Sequence, residues 1–291
     1  MSSAIADPGL VRLGLPKGRM QDNVMQLLRD AGIRLTLGRR GYRPTLSLEG
    51  FDTKVLKPQN IVEMLHVGSR DVGFAGADWV QELAAELIEV LDTGMDPVSI
   101  VLAAFPDFAP GGRYPAQFTA ATEYRQITQR WLTERGLNGT VVRAYGATEV
   151  FPPEDADCIV DNTATGETLR ANGLLILDTL MRSSTRLYAH PRAMDNPVKR
   201  ERIETLALLL RSVVDARAKV MLEVNVPAER LDAVVAVVPS MRHPTISPLH
   251  GEDAFAIKAA VPRAELPKVI PAIKAAGGSD IVISALAQIV P

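Results

Sequence analysis

Apolar and polar positions first fall into a readable order at Val11-Arg12-Leu13-Gly14-Leu15, which reads as a short buried strand. The turn Pro16-Lys17-Gly18-Arg19-Met20 follows. Val24, Leu27, Leu28 and Ala31 then recur at i, i+3, i+4 and i+7, predicting a helix from about Gln21 to Ala31 that Gly32 stops. A second helix is predicted from Pro58 to about Val67, ended by Gly68. A buried strand and glycine turn follow, Asp71-Val72-Gly73-Phe74-Ala75-Gly76, and Ala77-Asp78-Trp79-Val80 opens another helix. Val98 to Ala104 reads as a strand, and the Pro/Gly-rich stretch from Pro106 to Pro115 as a linker or surface loop. Strands are expected at 117–120, 140–144, 157–160 and 186–189. Helices are expected at 123–135, with Ile127 and Leu132 on the apolar face, and from Pro197 to about Lys219.

From Val220 the pattern changes to β-α-β-β-α-β, the split βαβ motif. Its strands are predicted at 220–226, 245–248, 255–261 and 281–283, and its helices at 229–237 and 264–276. Pro271 lies inside the last helix and is expected to kink it.

Residues 157–174, DCIVDNTATGETLRANGL, carry the most specific chemistry. The apolar run Cys158-Ile159-Val160 leads into Asp161, then into the small polar loop Asn162-Thr163-Ala164-Thr165-Gly166-Glu167-Thr168 and a helical turn at Leu169-Arg170-Ala171. A strand that feeds such a loop and a helix start offers backbone N–H groups to an anion. Threonine hydroxyls add donors, and Gly166 lets the chain approach closely. A carboxylate at the mouth of a phosphate cradle suits a neighbouring sugar diol, so the loop points to a ribose 5-phosphate ligand. Lys17 and Arg19 stand at another strand-to-helix turn, where two cations oppose the helix dipole unless an anion is present.

The loop resembles the phosphoribosyl-diphosphate loop of phosphoribosyltransferases, which ordinarily has two adjacent acids before T-G-x-T. Here Val160 precedes a single Asp161, and the loop is one residue shorter. That departure, together with the preceding Gly146-Ala147-Thr148-Glu149, is similar to the ATP phosphoribosyltransferase family, as are L-G-L-P-K-G-R-M and residues 57–80. In this last run the family has Asp where Asn60 stands, so one charge is absent.

The resemblance implies a bilobal α/β core like a type II periplasmic binding protein. Residues 1–103 with 186–218 would form one catalytic domain, residues 104–185 a second that holds the loop, and residues 219–291 a ferredoxin-like (ACT-like) regulatory domain. It implies transfer of the phosphoribosyl group to N1 of the adenine of ATP, with release of pyrophosphate, as the first step of histidine biosynthesis. Asp161 and Glu149 would hold the ribose hydroxyls, and residues 163–168 the 5-phosphate. Lys17 and Arg19 would neutralise phosphates, with Mg²⁺ bridging the diphosphate. Lys17, Gly18, Arg19, Gly73, Gly76 and Asp78 would line the ATP side. Free histidine is the implied inhibitor of the long form, with Asn225, Thr245, Ser247 and Asp280 as polar groups at strand ends that could hold it, in an oligomer of dimers and hexamers. A phosphoribosyltransferase acting on a free base, or a non-catalytic binding or regulatory paralogue on the same scaffold, remain the alternatives.

Composition agrees with a globular enzyme. The chain has 291 residues, 47% hydrophobic and 23% charged, enough for two or three domains. Lys+Arg 32 against Asp+Glu 34 leaves a net charge of -2, which argues against a nucleic-acid partner. Cys158, the single cysteine, reads as a small buried hydrophobe, and the four histidines show no metal-ligand spacing. No signal segment is evident at the amino terminus, and no apolar run approaches the ~18 residues of a membrane span, so a cytoplasmic protein is expected.

Overall fold

Two long strands, each far longer than its apolar core, organise the first part of the chain. The computed structural model describes residues 7, 9–36, 42–241 and 243–290; residues 1–6 and 8 of the amino-terminal segment read for a signal lie outside them. In chain order the elements are β1 (Val11–Pro16), α1 (Gln21–Asp30), the two-residue strands β2 (Leu35–Thr36) and β3 (Thr45–Leu46), β4 (Phe51–Leu56), α2 (Pro58–His66), β5 (Val72–Gly76), α3 (Ala77–Glu82) and β6 (Ile88–Ala104). Next come β7 (Phe118–Thr122), α4 (Arg125–Arg135), β8 (Gly139–Arg143), β9 (Cys158–Thr163), α5 (Glu167–Ala171), β10 (Leu175–Ala189), α6 (Pro191–Asp195) and α7 (Pro197–Arg217). The remainder is β11 (Lys219–Pro227), α8 (Leu231–Val235), β12 (Thr245–Pro248), β13 (Ala254–Pro262), α9 (Leu266–Ala276) and β14 (Ser279–Ala285). The chain divides into two compact units: Met1–Arg29 with Ile33–Ala207, and Asp30–Gly32 with Leu208–Pro291.

The first unit is built on one eight-stranded sheet in the order β4-β1-β5-β10-β6-β9-β7-β8. β1 pairs parallel with β4 and β5, and β7 pairs parallel with β8 and β9. Between these two parallel groups run β6 and β10, antiparallel to each other and to β9 and β5 respectively. The chain therefore passes between the two parallel groups along two paired strands, the pattern of a two-lobed α/β core.

Both long strands exceed the sequence reading, which began the first at Val98 and the second at Arg186. β6 starts ten residues earlier, at Ile88, and β10 eleven residues earlier, at Leu175. The physical reason is irregular pairing: register shifts occur between Ile176/Asp178, Thr179/Met181, Ser183/Thr185, Thr185/Arg186 and Leu187/Tyr188. Each shift breaks the period-two alternation by which a strand is recognised. Gly94 and Asp96 take positive φ (63° and 49°) just before Pro97, which hides the first half of β6 as a turn.

Helix α4 starts at Arg125, two residues later than expected, because Tyr124 is its N-cap and brings no side-chain cap of its own. Glu82 of α3 supplies one: its carboxylate accepts from the Gln126 N–H at 2.9 Å and the Ile127 N–H at 3.1 Å. Burial pushes the Glu82 carboxyl above the usual carboxylate range, and the helix amides pull it back. Asn60 lies inside α2 and donates to Glu63 at 3.3 Å, while Lys57 is the N-cap.

In the second unit the strand order is β12-β13-β11-β14, and all neighbours are antiparallel. Val220, Leu222, Val224 and Val226 alternate along β11 and pack with Val234 of α8 and Val269 and Ile273 of α9. One sheet face is thus helix-covered. α9 runs through Pro271 as one helix, from Leu266 to Ala276.

Candidate active site

Asp161 lies near the end of β9, just past the last residue paired with β7 and still paired with β6. Its Oδ2 accepts a short hydrogen bond from the Thr148 hydroxyl. Its Oδ1 accepts from the Asn162 backbone N–H at 2.6 Å and from Asn162 Nδ2 at 3.2 Å. Burial holds the Asp161 carboxyl above the usual range; Thr148 and the Asn162 amide lower it, and the Glu149 charge raises it again. The Gly146–Glu149 element is thereby placed against Asp161, with Thr148 fully buried and making the contact.

The loop after Asp161 closes on its own threonines. Thr163 Oγ1 accepts from the Gly166 N–H at 2.8 Å, and Thr165 Oγ1 from the Glu167 N–H at 3.4 Å. Gly166 caps α5 at φ 74°, a left-handed conformation. A Cβ added there would lie 3.1 Å from Ile176 Cδ1 and 3.2 Å from Arg170 Nη1, so both backbone and space favour glycine. Ala164, Thr165, Glu167 and Thr168 are exposed.

A cavity of about 450 Å³ gathers several of the expected residues. Lys17, Gly18, Arg19 and Asp78 line it together with Lys57, Trp79, Tyr124 and Asn162. Lys17 and Arg19 arrive on the turn after β1, where Gly18 takes φ 88°. Lys17 Nζ lies 5.5 Å from the centroid of the Tyr42 ring. Asn162 joins this cavity to Asp161, since its Nδ2 also donates to the Tyr124 hydroxyl at 3.0 Å.

Asp78 is only 4% exposed, and both its carboxylate oxygens are occupied. Tyr124 donates to Oδ2 at 2.9 Å and Ser183 to Oδ1 at 2.7 Å, while the Asp78 N–H donates to Ser183 Oγ at 3.1 Å. Asp78 therefore anchors Tyr124 at the cavity and does not present a free carboxylate. Burial first, and then the Asp78 charge, push the Tyr124 phenol far above its ordinary range. Gly76 is required by this anchor, because a Cβ there would meet Asp78 Oδ1 at 2.1 Å. Gly73 serves packing: its missing Cβ leaves room for Ile61 Cγ2, which would lie 2.6 Å away. Gly73 is not among the residues that line the cavity.

Four residues at this site were not singled out for chemistry in the sequence: Thr148, Tyr124, Asn162 and Lys57. Thr148 and Asn162 each adjoin a flagged acid, which was the available signal. Lys57 opens the run 57–80 and Tyr124 ends the run Thr122-Glu123-Tyr124, both similar to the family, but neither was given a chemical role. Cys158 is fully buried on β9, and burial followed by the Asp157 charge pushes its thiol up to about 12, in keeping with a packing role.

In the second unit, the Asn225 amide donates to Asp280 at 3.2 Å. Asn225 pairs with Ala256, and Ala256 with Ser247, while Thr245 pairs with Lys258. These registers put Asn225, Thr245 and Ser247 on the sheet face opposite α8 and α9. Asp280 sits on β14, at the far edge of the sheet from β12. Thr245 also lines a hollow of about 620 Å³ with Met221, His243 and Lys258.

The comparisons with known proteins agree with this geometry. The family model described as ATP phosphoribosyltransferase (HisG) matches residues 57–212, and the model described as its C-terminal domain matches residues 216–288. The ATP phosphoribosyltransferase of Pelotomaculum thermopropionicum is 37% identical, over 97% of this chain and 99% of that protein. That of Chlorobium phaeovibrioides is 37% identical over 94% and 95%. Among solved structures, the ATP phosphoribosyl transferase (HisG:HisZ) complex from Thermotoga maritima matches with a TM-score of 0.62 and 26% identity, over 70% of this chain and 98% of that one. An acid-led Thr-Gly loop, a Lys-Gly-Arg turn on a shared two-lobed sheet, a βαββαβ unit behind them and relatives matched end to end lead to one assignment: this chain belongs to the ATP phosphoribosyltransferase family, in the form that carries the C-terminal domain.

Proposed function

We propose that the chain condenses ATP with phosphoribosyl diphosphate to give 1-(5-phosphoribosyl)-ATP and pyrophosphate, the first step of histidine biosynthesis. The observation that carries this reading is the hydrogen-bonded path from Asp161 through Asn162 to Tyr124, which joins the phosphate-type loop to the cavity lined by Lys17 and Arg19.

In the reaction, the adenine N1 lone pair forms a bond to ribose C1 as the bond from C1 to the diphosphate oxygen breaks. The leaving diphosphate takes that electron pair. C1 gains positive charge, so the protein contributes mainly by positioning and electrostatics. The 5-phosphate replaces the Thr163 and Thr165 hydroxyls as acceptor for the Gly166 and Glu167 amides. Asp161 accepts from the ribose hydroxyls, held in place by Thr148, with Glu149 alongside. Lys17 and Arg19 neutralise phosphate oxygens. The half-buried indole of Trp79, backed by the buried ring of Tyr124 at 5.1 Å between centroids, offers an aromatic wall to the adenine.

Magnesium would be held mainly through the diphosphate substrate. Among the described residues no group of three or more metal-ligating side chains occurs. A magnesium ion carried on the diphosphate would need only one or two protein carboxylates, which Asp161 and Glu149 would supply. When bound, it offsets the charge of the departing diphosphate.

We also propose that the second unit binds free histidine on the face that carries Asn225, Thr245 and Ser247, within a homo-oligomer of dimers and hexamers, and that binding lowers activity. Among the described residues no helix is long and apolar enough to cross a membrane. Cytoplasmic placement is proposed because both substrates are cytoplasmic metabolites.

The test of the substrate reading is calorimetric titration of phosphoribosyl diphosphate into the full chain and into Gly166→Val. The wild type is expected to bind, and the variant to lose binding because the loop is blocked. Near-normal affinity in the variant would overturn the loop assignment. For the second unit, histidine is expected to inhibit the wild type and to fail against Asn225→Ala; equal inhibition of both would reject the site.

A further inference from the structure

The far end of β1 and β5 holds a second concentration of charge. Asp71, whose side chain is 6% exposed, precedes β5, and Arg12 stands near the start of β1. Arg12 donates to Asp71 three times: from its backbone N–H at 2.8 Å, from Nε at 2.9 Å and from Nη2 at 3.0 Å. Lys199 Nζ donates to Asp71 Oδ1 at 2.8 Å. Four hydrogen bonds saturate the two carboxylate oxygens.

The cationic side is not saturated. Lys199 is 16% exposed and retains two ammonium protons after its bond to Asp71. The His190 Nδ1 accepts from the Arg192 N–H at 3.1 Å, so a neutral ring carries its proton on Nε2. The Asn196 Oδ1 accepts from the Lys199 N–H at 3.1 Å, which leaves the Nδ2 protons outward. Arg192 adds a third guanidinium or ammonium charge against the single carboxylate. Arg12, Asp71, His190, Arg192, Asn196 and Lys199 line one concavity of about 190 Å³. Nearby, Asp52 also acts on Arg12, but it is paired with Arg70 at 3.1 Å and with Arg43 at 3.6 Å and does not line the concavity.

We propose that this concavity binds a phosphate-class oxyanion through Lys199, Arg192, Asn196 and His190, with Asp71 as the buried post that fixes Arg12 and Lys199. Three cations around one saturated carboxylate repel one another, and a bound anion relieves that repulsion. Donors that converge from a strand end, a helix start and a loop suit a tetrahedral group, whose oxygens accept from several directions. A purely structural ion pair would require Arg12 and Lys199 alone. His190 also donates its backbone N–H to the Asp71 carbonyl at 2.9 Å, and the His190 and Asn196 side chains accept from first-turn amides of α6 and α7, so among these residues it is Arg192 that has no part in holding Asp71. The pocket is distinct from the transfer cleft. Arg12 and Lys17 are five residues apart along β1, roughly 17 Å at the strand rise. The same two strands end at the Lys17–Arg19 turn and beside Asp78, so an anion here would brace the elements that carry them.

The test follows thermal unfolding of the full chain as inorganic phosphate replaces chloride at constant ionic strength. Phosphate bound only to the folded state raises Tm. Any phosphate held in the transfer cleft affects wild type and Arg192→Glu alike, so their difference isolates this pocket. The expected result is a Tm rise in the wild type, retained in Arg192→Lys, whose half-maximal phosphate concentration increases at least tenfold in Arg192→Glu. Arg192→Gln gives the same reading should the reversed charge prevent folding. No rise in the wild type, or the same phosphate dependence in the wild type and in Arg192→Glu or Arg192→Gln, would overturn the proposal.

Discussion

The Thr148 hydroxyl donates its hydrogen bond to Oδ2 of Asp161, thirteen residues away in sequence and across the turn before β9. The acid that leads the loop is thus held by the element that carries Glu149. One Asp161 oxygen is fixed by Thr148 and the other by Asn162, so the carboxylate meets a ligand in a set orientation.

Thr148→Val keeps the shape and removes the donor. A hydrogen bond to a charged group contributes about 1.5–3 kcal/mol, so kcat/KM should fall roughly tenfold or more. The bond lowers a carboxyl that burial has already raised, and its loss should raise that carboxyl further. The acid limb of the pH–rate profile is therefore expected to move to higher pH, because ionised Asp161 is the active form. Rates measured across the acid range check this; an unmoved limb with unchanged kcat/KM would contradict the role given to Thr148.

Tyr124→Phe leaves Asp78 Oδ2 without its partner and Asn162 Nδ2 with Asp161 alone, while the ring stays in place. Loss of a partner by a buried polar group costs about 1–3 kcal/mol. The urea midpoint should fall with little change in the slope. A wild-type midpoint would mean that the Asp78–Tyr124 bond does not hold this wall of the cavity.

These long-range bonds explain where sequence reading stops. Asp161, Gly166 and the Lys17-Gly18-Arg19 turn were legible because each is marked by its neighbours: an apolar strand before it, a small polar loop or a helix after it. Thr148 and Asn162 adjoin marked residues, yet nothing local says which hydroxyl or amide meets the acid. Tyr124 is anchored to a residue 46 positions away and Ser183 to one 105 positions away, and periodicity carries no signal for either pairing. The first halves of β6 and β10 were lost for a different reason, since bulges and the Gly94–Pro97 turn erase the alternation. The β-α-β-β-α-β order of the second unit was legible from its first strand onward, because β11 alternates cleanly, Val220 to Val226 inward and Met221 to Asn225 outward.

Arg19→Ala removes a cation from the cavity at the end of β1. A charge-assisted contact to phosphate accounts for about 2–3 kcal/mol, so nucleotide affinity or turnover should drop roughly 30- to 150-fold. Steady-state kinetics with ATP varied at saturating phosphoribosyl diphosphate check the size of the loss. Unchanged kinetics in both Arg19→Ala and Lys17→Ala would remove the turn from the site.

The most direct measurement follows product absorbance with ATP and phosphoribosyl diphosphate as the only organic substrates and pyrophosphatase present, for the wild type and for Asp161→Ala. The wild type is predicted to form phosphoribosyl-ATP with one pyrophosphate released per product, and Asp161→Ala to lose most of that rate. A wild-type chain that forms no product, or an Asp161→Ala chain as fast as the wild type, would contradict the account.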